Sequence, residues 1–98
     1  MSPTEFNEFV LNNKKVLIKF SSVGCMPCKI VAPIIDEIIK ENPDIKYLGI
    51  DANEDRELAE SFDISAVPTM IYFVDGEFKN SISGAKNKMA IKEFLNIA

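Results

Sequence analysis

The sequence predicts one α/β domain over residues 1–98, in which a mixed four-stranded sheet carries helices on both faces. Two observations predict this class. The hydrophobic spacing alternates between the helical and the strand period, in the order helix, strand, helix, strand, helix, hairpin, helix. A strand–helix–strand unit demands a parallel pair of strands with a right-handed crossover, whereas a hairpin adds antiparallel strands.

The chain opens on a helix signal. Ser2, Pro3 and Glu5 have the spacing of a capping box with proline at the first helical position. Apolar residues then recur at helical spacing, so the first helix should run to about Asn12. The run "KKVLIKF", which ends at Phe20, is nearly continuous in apolar residues and is typical of a strand covered on both faces.

The middle of the chain predicts two more helices and one strand. The second helix should extend over residues 26–40 and bury a broad apolar stripe that includes Ile30. Residues 45–51, "IKYLGID", predict the second strand. Asn53 has the side chain of a helix cap and should start a short helix over residues 54–61.

The last third of the chain predicts a hairpin and a helix. The segment "TMIYFVDGEFKNSIS" contains two strand runs joined at Asp75 and Gly76, which is a strong hairpin signal. Gly84 should end the second of these strands. Residues 87–98 have the amphipathic spacing of a closing helix.

The composition excludes several classes of function. The net charge is -4 and the chain has no basic run, which argues against nucleic acid as the main ligand. No apolar run reaches the roughly 18 residues of a membrane span, and the N-terminus lacks an export signal. With only two cysteines, the chain is not a secreted disulfide scaffold. We therefore expect a cytoplasmic protein. We also expect a monomer, although these observations do not bear on the oligomeric state.

Missing residue types narrow the chemistry further. The sequence has no histidine, which excludes a nucleophile activated by a histidine base. A structural zinc site usually takes four cysteine or histidine ligands, and this chain has two such residues. No metal site is expected.

Both cysteines, Cys25 and Cys28, lie in the segment "SSVGCMPCKI" at the predicted start of the second helix. A ring this short would stabilise the fold by only about 2 kcal/mol, so the pair is poorly placed as a structural crosslink. It is well placed for redox chemistry, because free N–H groups and the helix dipole stabilise a thiolate at a helix start. Residues that are three positions apart lie next to each other on the same face of a helix, about one turn apart. Cys25 is the predicted nucleophile in disulfide exchange and Cys28 the resolving thiol. The alternative is a pair of inert, buried thiols.

The chain resembles the thioredoxin family over nearly its whole length. The matching segments are "VLIKF", "CMPCKIVAPIIDEI", "GIDANED", "AVPTMIYFVDGE" and "SGAKNKMAIKEFL". The resemblance implies the thioredoxin fold and a cis peptide bond before Pro68, facing the cysteines. It also implies a substrate-binding surface, composed of Gly24, Met26, Pro27, Val67, Gly84 and Ala85. Such a protein reduces disulfide-containing proteins and needs no bound cofactor. The implied electron donor is thioredoxin reductase, a flavoprotein that uses NADPH.

Four departures from the family pattern change these expectations. Met26 stands beside Pro27 where reducing members usually have glycine, which leaves the reduction potential open. Ser21 and Gly24 stand where aromatic residues are common, so we expect a more open groove. The family's first strand is expected to be missing, because the capping box begins so early. Lys19 occupies the position of a buried aspartate that takes the proton of the second cysteine.

Lys19 leaves two interpretations open. A desolvated lysine has a lowered pKa and can act as a base, or as a cation that attracts the Cys28 thiolate. Alternatively, its stem is buried and its ammonium group reaches water, without a part in the reaction.

Three other functions remain open at this point. The same exchange chemistry run in reverse would give an oxidase or an isomerase. A glutaredoxin is disfavoured, because Met26 and Pro27 differ from that family's usual pair and no double glycine follows the "VPT" segment. A thioredoxin fold can also serve as a binding or scaffold module without redox activity.

Overall fold

The computed structural model describes residues 1–97 and contains eight elements in the predicted order. The four helices are α1 (Pro3–Leu11), α2 (Met26–Glu41), α3 (Arg56–Ser61) and α4 (Lys88–Phe94). The four strands are β1 (Lys15–Ser21), β2 (Ile45–Asp51), β3 (Thr69–Val74) and β4 (Glu77–Ser83). None of the helices in this part of the chain is long and apolar enough to cross a membrane.

The strands form one mixed sheet in the order β2-β1-β3-β4. β1 and β2 are parallel, while β3 is antiparallel to both β1 and β4. The register aligns Lys19 of β1 with Gly49 on one side and with Met70 on the other. The predicted mixed four-stranded sheet is confirmed. Within residues 1–97, the first strand of this sheet is β1, which follows α1.

Both faces of the sheet are covered by helices, as predicted. β1 shows this most clearly, because successive side chains of a strand point to opposite faces. Ile18 and Phe20 belong to a cluster with Phe6 of α1 and Leu58 of α3. Leu17 belongs to the other cluster, whose helical members come from α2 and α4. The side chains of β1 are therefore buried on both faces of the sheet.

The beginning of α1 confirms the capping box. The Glu5 backbone N–H donates to the Ser2 hydroxyl oxygen at 3.2 Å, and the Ser2 N–H donates to the Glu5 carboxylate at 2.9 Å. Phe6 and Val10 are the buried residues of this helix. Because the cap satisfies two N–H groups that the helix itself leaves free, α1 begins at Pro3.

The hairpin between β3 and β4 also has the predicted turn. Asp75 and Gly76 both adopt a positive φ, of 54° and 79°. Two consecutive residues in this region match the right-handed twist of the flanking strands, which is why an Asp-Gly pair is favoured there.

The structure corrects three predictions. Asn53 does not cap α3, which begins at Arg56 after Asp55. The Asp51 carboxylate instead accepts the N–H groups of Asn53 and Glu54, at 2.8 and 3.2 Å, and this turn delays the helix. The burial of Ile30 is also wrong, because its side chain is 57% exposed.

The prediction for Ile30 was wrong because of the direction in which this residue points from α2. The third correction concerns the length of α4. The buried residues of α2 begin at Cys28, and a rotation of about 100° per residue places Ile30 about 200° away. α4 ends at Phe94 rather than continuing to the end of the chain, because Asn96 adopts a positive φ of 56°. Ala98 lies outside the described residues.

Candidate functional site

The two cysteines form a disulfide at the start of α2. Their Cα atoms are 5.3 Å apart, and their sulfur atoms are bonded. Cys25 is the N-cap of α2, and its Sγ accepts the backbone N–H of Cys28 at 3.1 Å. An N–H at a helix start has no acceptor within the helix, so it is free to stabilise negative charge on this sulfur.

The two sulfur-bearing residues differ in exposure. Cys28 is 5% exposed and belongs to the buried face of α2, whereas Cys25 is half-buried. Gly24, just before it, is exposed and has a φ of 81°, a conformation that favours glycine. The residue that a protein substrate can reach is therefore Cys25.

The loop before β3 lies against the sulfur of Cys25. The Val67–Pro68 peptide bond is cis, as the resemblance implies. The carbonyl oxygen of Val67 lies 3.8 Å from Cys25 Sγ, although the two residues are 42 positions apart in the chain. The N–H of Val67 has no acceptor within residues 1–97, so it is available to another chain.

Two contacts hold this loop in place. The Gly84 N–H donates to the Pro68 carbonyl at 2.8 Å, which brings the end of β4 to the cis proline. The Thr69 hydroxyl donates to the Ala66 carbonyl at 2.7 Å. Ala85 follows Gly84 and is exposed. The structure thus gathers the predicted residues Gly24, Val67, Pro68 and Gly84 around the disulfide.

Exposed apolar side chains lie in the chain segment that carries the disulfide. Of the predicted docking residues, Met26 is 63% exposed and Pro27 is exposed beside it in the first turn of α2. The sequence interpretation missed Val23 and Ile30, which are 90% and 57% exposed. The sequence signal that could have placed Ile30 on this surface was its spacing from Met26. The two residues are four positions apart and are therefore neighbours on a helix.

A groove is lined in part by Val67. Its volume is about 470 Å³, and it lies between the loops that follow β1 and β2 and the cis-proline loop. Ser22, Asn53 and Arg56 contribute polar groups to its walls.

Lys19 lies inside the fold, on the face of the sheet that α2 covers. The residue is 8% exposed and is the only buried charged residue within residues 1–97. Burial lowers the pKa of its amine, and the Asp36 carboxylate partly opposes this effect. Lys19 forms no salt bridge with any described residue. The structure therefore places a poorly compensated cation in the core.

Tyr47 of β2 is another group on this face whose pKa is shifted. Burial, and then the Asp36 carboxylate, raise the pKa of its phenol to about 12. The phenol is therefore neutral at physiological pH. Asp36 itself is exposed on α2. In the part of the chain that the structure describes, no three acidic, cysteine or histidine side chains are grouped as metal ligands.

Comparisons with known proteins agree with this geometry. A family model described as Thioredoxin matches residues 1–97. The thioredoxin of Mycobacterium bovis is 40% identical over 86 residues, which cover 87% of this chain and 74% of that protein. The bifunctional thioredoxin reductase/thioredoxin of Mycobacterium leprae is 37% identical over 92 residues, which cover 93% of this chain and 20% of that protein. The crystal structure of oxidized mitochondrial thioredoxin 3 from Saccharomyces cerevisiae superposes with a TM-score of 0.89 at 30% identity, covering 95% of this chain and 87% of that one.

Proposed function

The chain belongs to the thioredoxin family, and we propose that it reduces disulfide bonds in proteins by exchange with its own cysteine pair. One observation carries this proposal. Cys25 caps α2 with its sulfur facing an N–H group, while Cys28 lies one turn later at disulfide distance. This arrangement supplies an accessible nucleophile and a buried resolving thiol.

The reaction begins with the reduced pair. The Cys25 thiolate attacks one sulfur of a substrate disulfide, which breaks the S–S bond and releases the other sulfur as a thiolate that takes a proton from water. The Cys28 thiolate then attacks Cys25 Sγ in the mixed disulfide and releases the second substrate sulfur. Two electrons pass to the substrate, and the Cys25–Cys28 disulfide in the structure is the product state.

The helix start supports the first step. A thiol with an ordinary pKa of about 8.5 is only a few per cent ionised at neutral pH, and the thiolate is the reactive form. The N–H of Cys28 and the dipole of the 16-residue α2 both stabilise negative charge on Cys25. Exchange therefore proceeds faster at Cys25 than at an unperturbed thiol.

The cis-proline loop supports docking of an extended substrate segment. Among the described residues the N–H of Val67 has no acceptor, and its carbonyl oxygen lies 3.8 Å from Cys25 Sγ. Pairing of these groups with a substrate backbone is a form of strand addition. The bound segment would be surrounded by small or apolar groups, which belong to Gly24, Met26, Pro27, Gly84 and Ala85.

A reductase would regenerate the dithiol. The Mycobacterium leprae relative is named as a reductase and a thioredoxin in one protein, which supports thioredoxin reductase as the donor. Because the two thiols carry both electrons, no bound cofactor is required. We also propose that the chain forms a single domain and works in the cytoplasm.

The test is reduction of insulin disulfides with dithiothreitol as electron source. We expect the wild-type chain to accelerate the reaction and Cys25→Ser to abolish the acceleration. Cys28→Ser is the matched variant, because it keeps the nucleophile and should accumulate the mixed disulfide. Equal rates for wild type and Cys25→Ser would instead identify a binding module on the same fold.

The role of Lys19 and the direction of exchange need separate measurements. Lys19→Ala should change the pH–rate profile of exchange more than it changes the fold. An unchanged profile would remove Lys19 from the mechanism. A redox titration of the cysteine pair then distinguishes a reductant from an oxidase or isomerase, because only a low potential favours electron donation.

A further inference from the structure

Large apolar side chains are exposed in the short segment that carries the cysteines. Val23 is 90% exposed, Met26 is 63% exposed and Ile30 is 57% exposed, and all three lie within residues 23–30. The other large apolar side chains that are exposed in residues 1–97 are scattered along the chain. A concentration of exposed apolar groups beside a reactive group indicates a surface that contacts other molecules.

Met26 is the closest of these three residues to the nucleophile. It follows Cys25 directly and is the first residue of α2, so the Cα atoms of the two residues are about 3.8 Å apart. Ile30 comes four positions later and is therefore a neighbour of Met26 on the helix. A substrate segment bonded to Cys25 Sγ lies within reach of the Met26 thioether.

The thioether combines adaptable binding with a sensitivity to oxidants. Methionine is unbranched, flexible and polarizable, which suits a surface that binds many different segments. Peroxides attack a cysteine as its thiolate, and the Cys25–Cys28 disulfide contains no thiolate. Within residues 23–30, Met26 is then the only side chain that a peroxide oxidises. The oxidised protein thus exposes Met26 to peroxide while its cysteines are protected.

The other three methionines differ from Met26 in exposure or in location. Met70 is 0% exposed, so the core shields it from oxidants. Met1 is 43% exposed and Met89 is 71% exposed. Met89 lines a groove of its own on α4, together with Lys92 and Ile97. Within residues 1–97, none of the predicted docking residues contributes to that groove. Met89 therefore offers a matched control for Met26.

We propose that Met26 is an oxidation site through which a hydroperoxide weakens the docking of protein substrates. The Met26 sulfur attacks one oxygen of the peroxide, the O–O bond breaks, and that oxygen remains on the sulfur as a sulfoxide. The other oxygen leaves as water or an alcohol, and the two electrons lost by the sulfur reduce the peroxide. The sulfoxide is polar where the thioether was apolar, so an extended substrate segment loses an apolar contact beside Cys25. This role rests on the proposed disulfide exchange.

The test begins with treatment of the oxidised protein with hydrogen peroxide, which is then removed. Mass spectrometry locates the oxidised methionines, and insulin reduction with dithiothreitol is measured next. Wild type should lose at least about threefold in kcat/KM for insulin, because the sulfoxide makes a poorer apolar contact. Reduction of dithiobis(nitrobenzoic acid), a small disulfide that needs no docking surface, should not change.

Two variants identify the methionine that is responsible. Met26→Leu keeps an apolar side chain of similar volume but has no sulfur to oxidise. Met89→Leu removes a comparably exposed thioether outside the docking surface. Each variant is compared with its own untreated sample, so any effect of the substitution itself drops out. We expect treated Met89→Leu to lose activity as wild type does, and treated Met26→Leu to keep its activity.

An equal loss of insulin reduction in treated Met26→Leu would overturn the proposal, as would an undiminished rate in wild type whose Met26 is fully oxidised. A parallel loss with the small disulfide would also refute it, because the damage would then lie at the cysteine pair. If Met89 becomes oxidised while Met26 does not, Met26 is not an oxidation site. Failure of the proposed function is seen separately, since untreated wild type and Cys25→Ser would then reduce insulin at equal rates.

Discussion

Replacing Lys19 with methionine is expected to stabilise the oxidised protein at neutral pH. Methionine keeps an unbranched, buried side chain of similar length but carries no charge. The amine of Lys19 forms no salt bridge within residues 1–97 and lies beside an apolar layer of the core. Burial of a polar group without a hydrogen bond costs about 1–3 kcal/mol in protein mutational data, and since the Lys19 amine is not fully closed to solvent, the gain should lie at the lower end of this range.

The gain should depend on pH in a defined direction. Burial depresses the folded-state pKa of Lys19 below its ordinary value of 10.5. Between these two values the unfolded chain binds more protons than the folded chain, so the unfolding free energy of wild type rises with pH there. The slope for one group reaches at most about 1.4 kcal/mol per pH unit. The advantage of Lys19→Met should therefore be constant at low pH, shrink through this window and level off above pH 10.5.

Urea denaturation across a pH series measures both effects. For a domain of this size, 1 kcal/mol corresponds to about 4–8 °C in Tm, so thermal melts offer a second readout. Lys46→Met is the matched control, because Lys46 is exposed on the adjacent strand and should change stability by less than about 0.5 kcal/mol. If Lys19→Met were no more stable than wild type at pH 7 and showed the same pH slope, the ammonium group would be fully hydrated and our reasoning would be wrong.

Three further predictions concern the core, the backbone and the tyrosines. Phe6→Ala should destabilise the protein by about 3–5 kcal/mol in urea, because Phe6 is 2% exposed and packs against two other phenylalanine rings. Phe78→Ala should cost far less, because that ring is 57% exposed, and equal losses would contradict the assigned core. Gly84→Ala should cost about 1–2 kcal/mol for its left-handed backbone alone, since an added Cβ there meets nothing within 4 Å. Gly49→Ala, at an ordinary φ, should cost less in the same denaturation series, and the reverse order would refute the backbone argument. Tyr47 should ionise near pH 12 in an absorbance titration. Because this pKa is raised on folding, the stability that Tyr47 contributes should be lost between pH 10 and about 12; ionisation at the ordinary value would show that the phenol is open to water.

The fold class and the redox pair could be predicted because their signals are local. The capping box at Ser2 and Glu5 satisfies helix N–H groups within one turn, and Asp75-Gly76 fixes the hairpin through two backbone angles. The spacing of Cys25 and Cys28 brings the sulfurs together within a single helical turn. Each of these features depends on residues a few positions apart, so no knowledge of the packed molecule is needed.

Features that depend on distant contacts were decided only by the tertiary structure. Whether Ile30 or Val31 is buried depends on how α2 is rotated against the sheet. The approach of Val67 to Cys25 joins residues 42 positions apart, and only the family resemblance, not the local pattern, led us to expect it. The register that places Gly49 beside Lys19 arises from the pairing of β1 with β2. Which charges remain unpaired follows from the packing of whole elements, and the order of residues along the chain does not contain it.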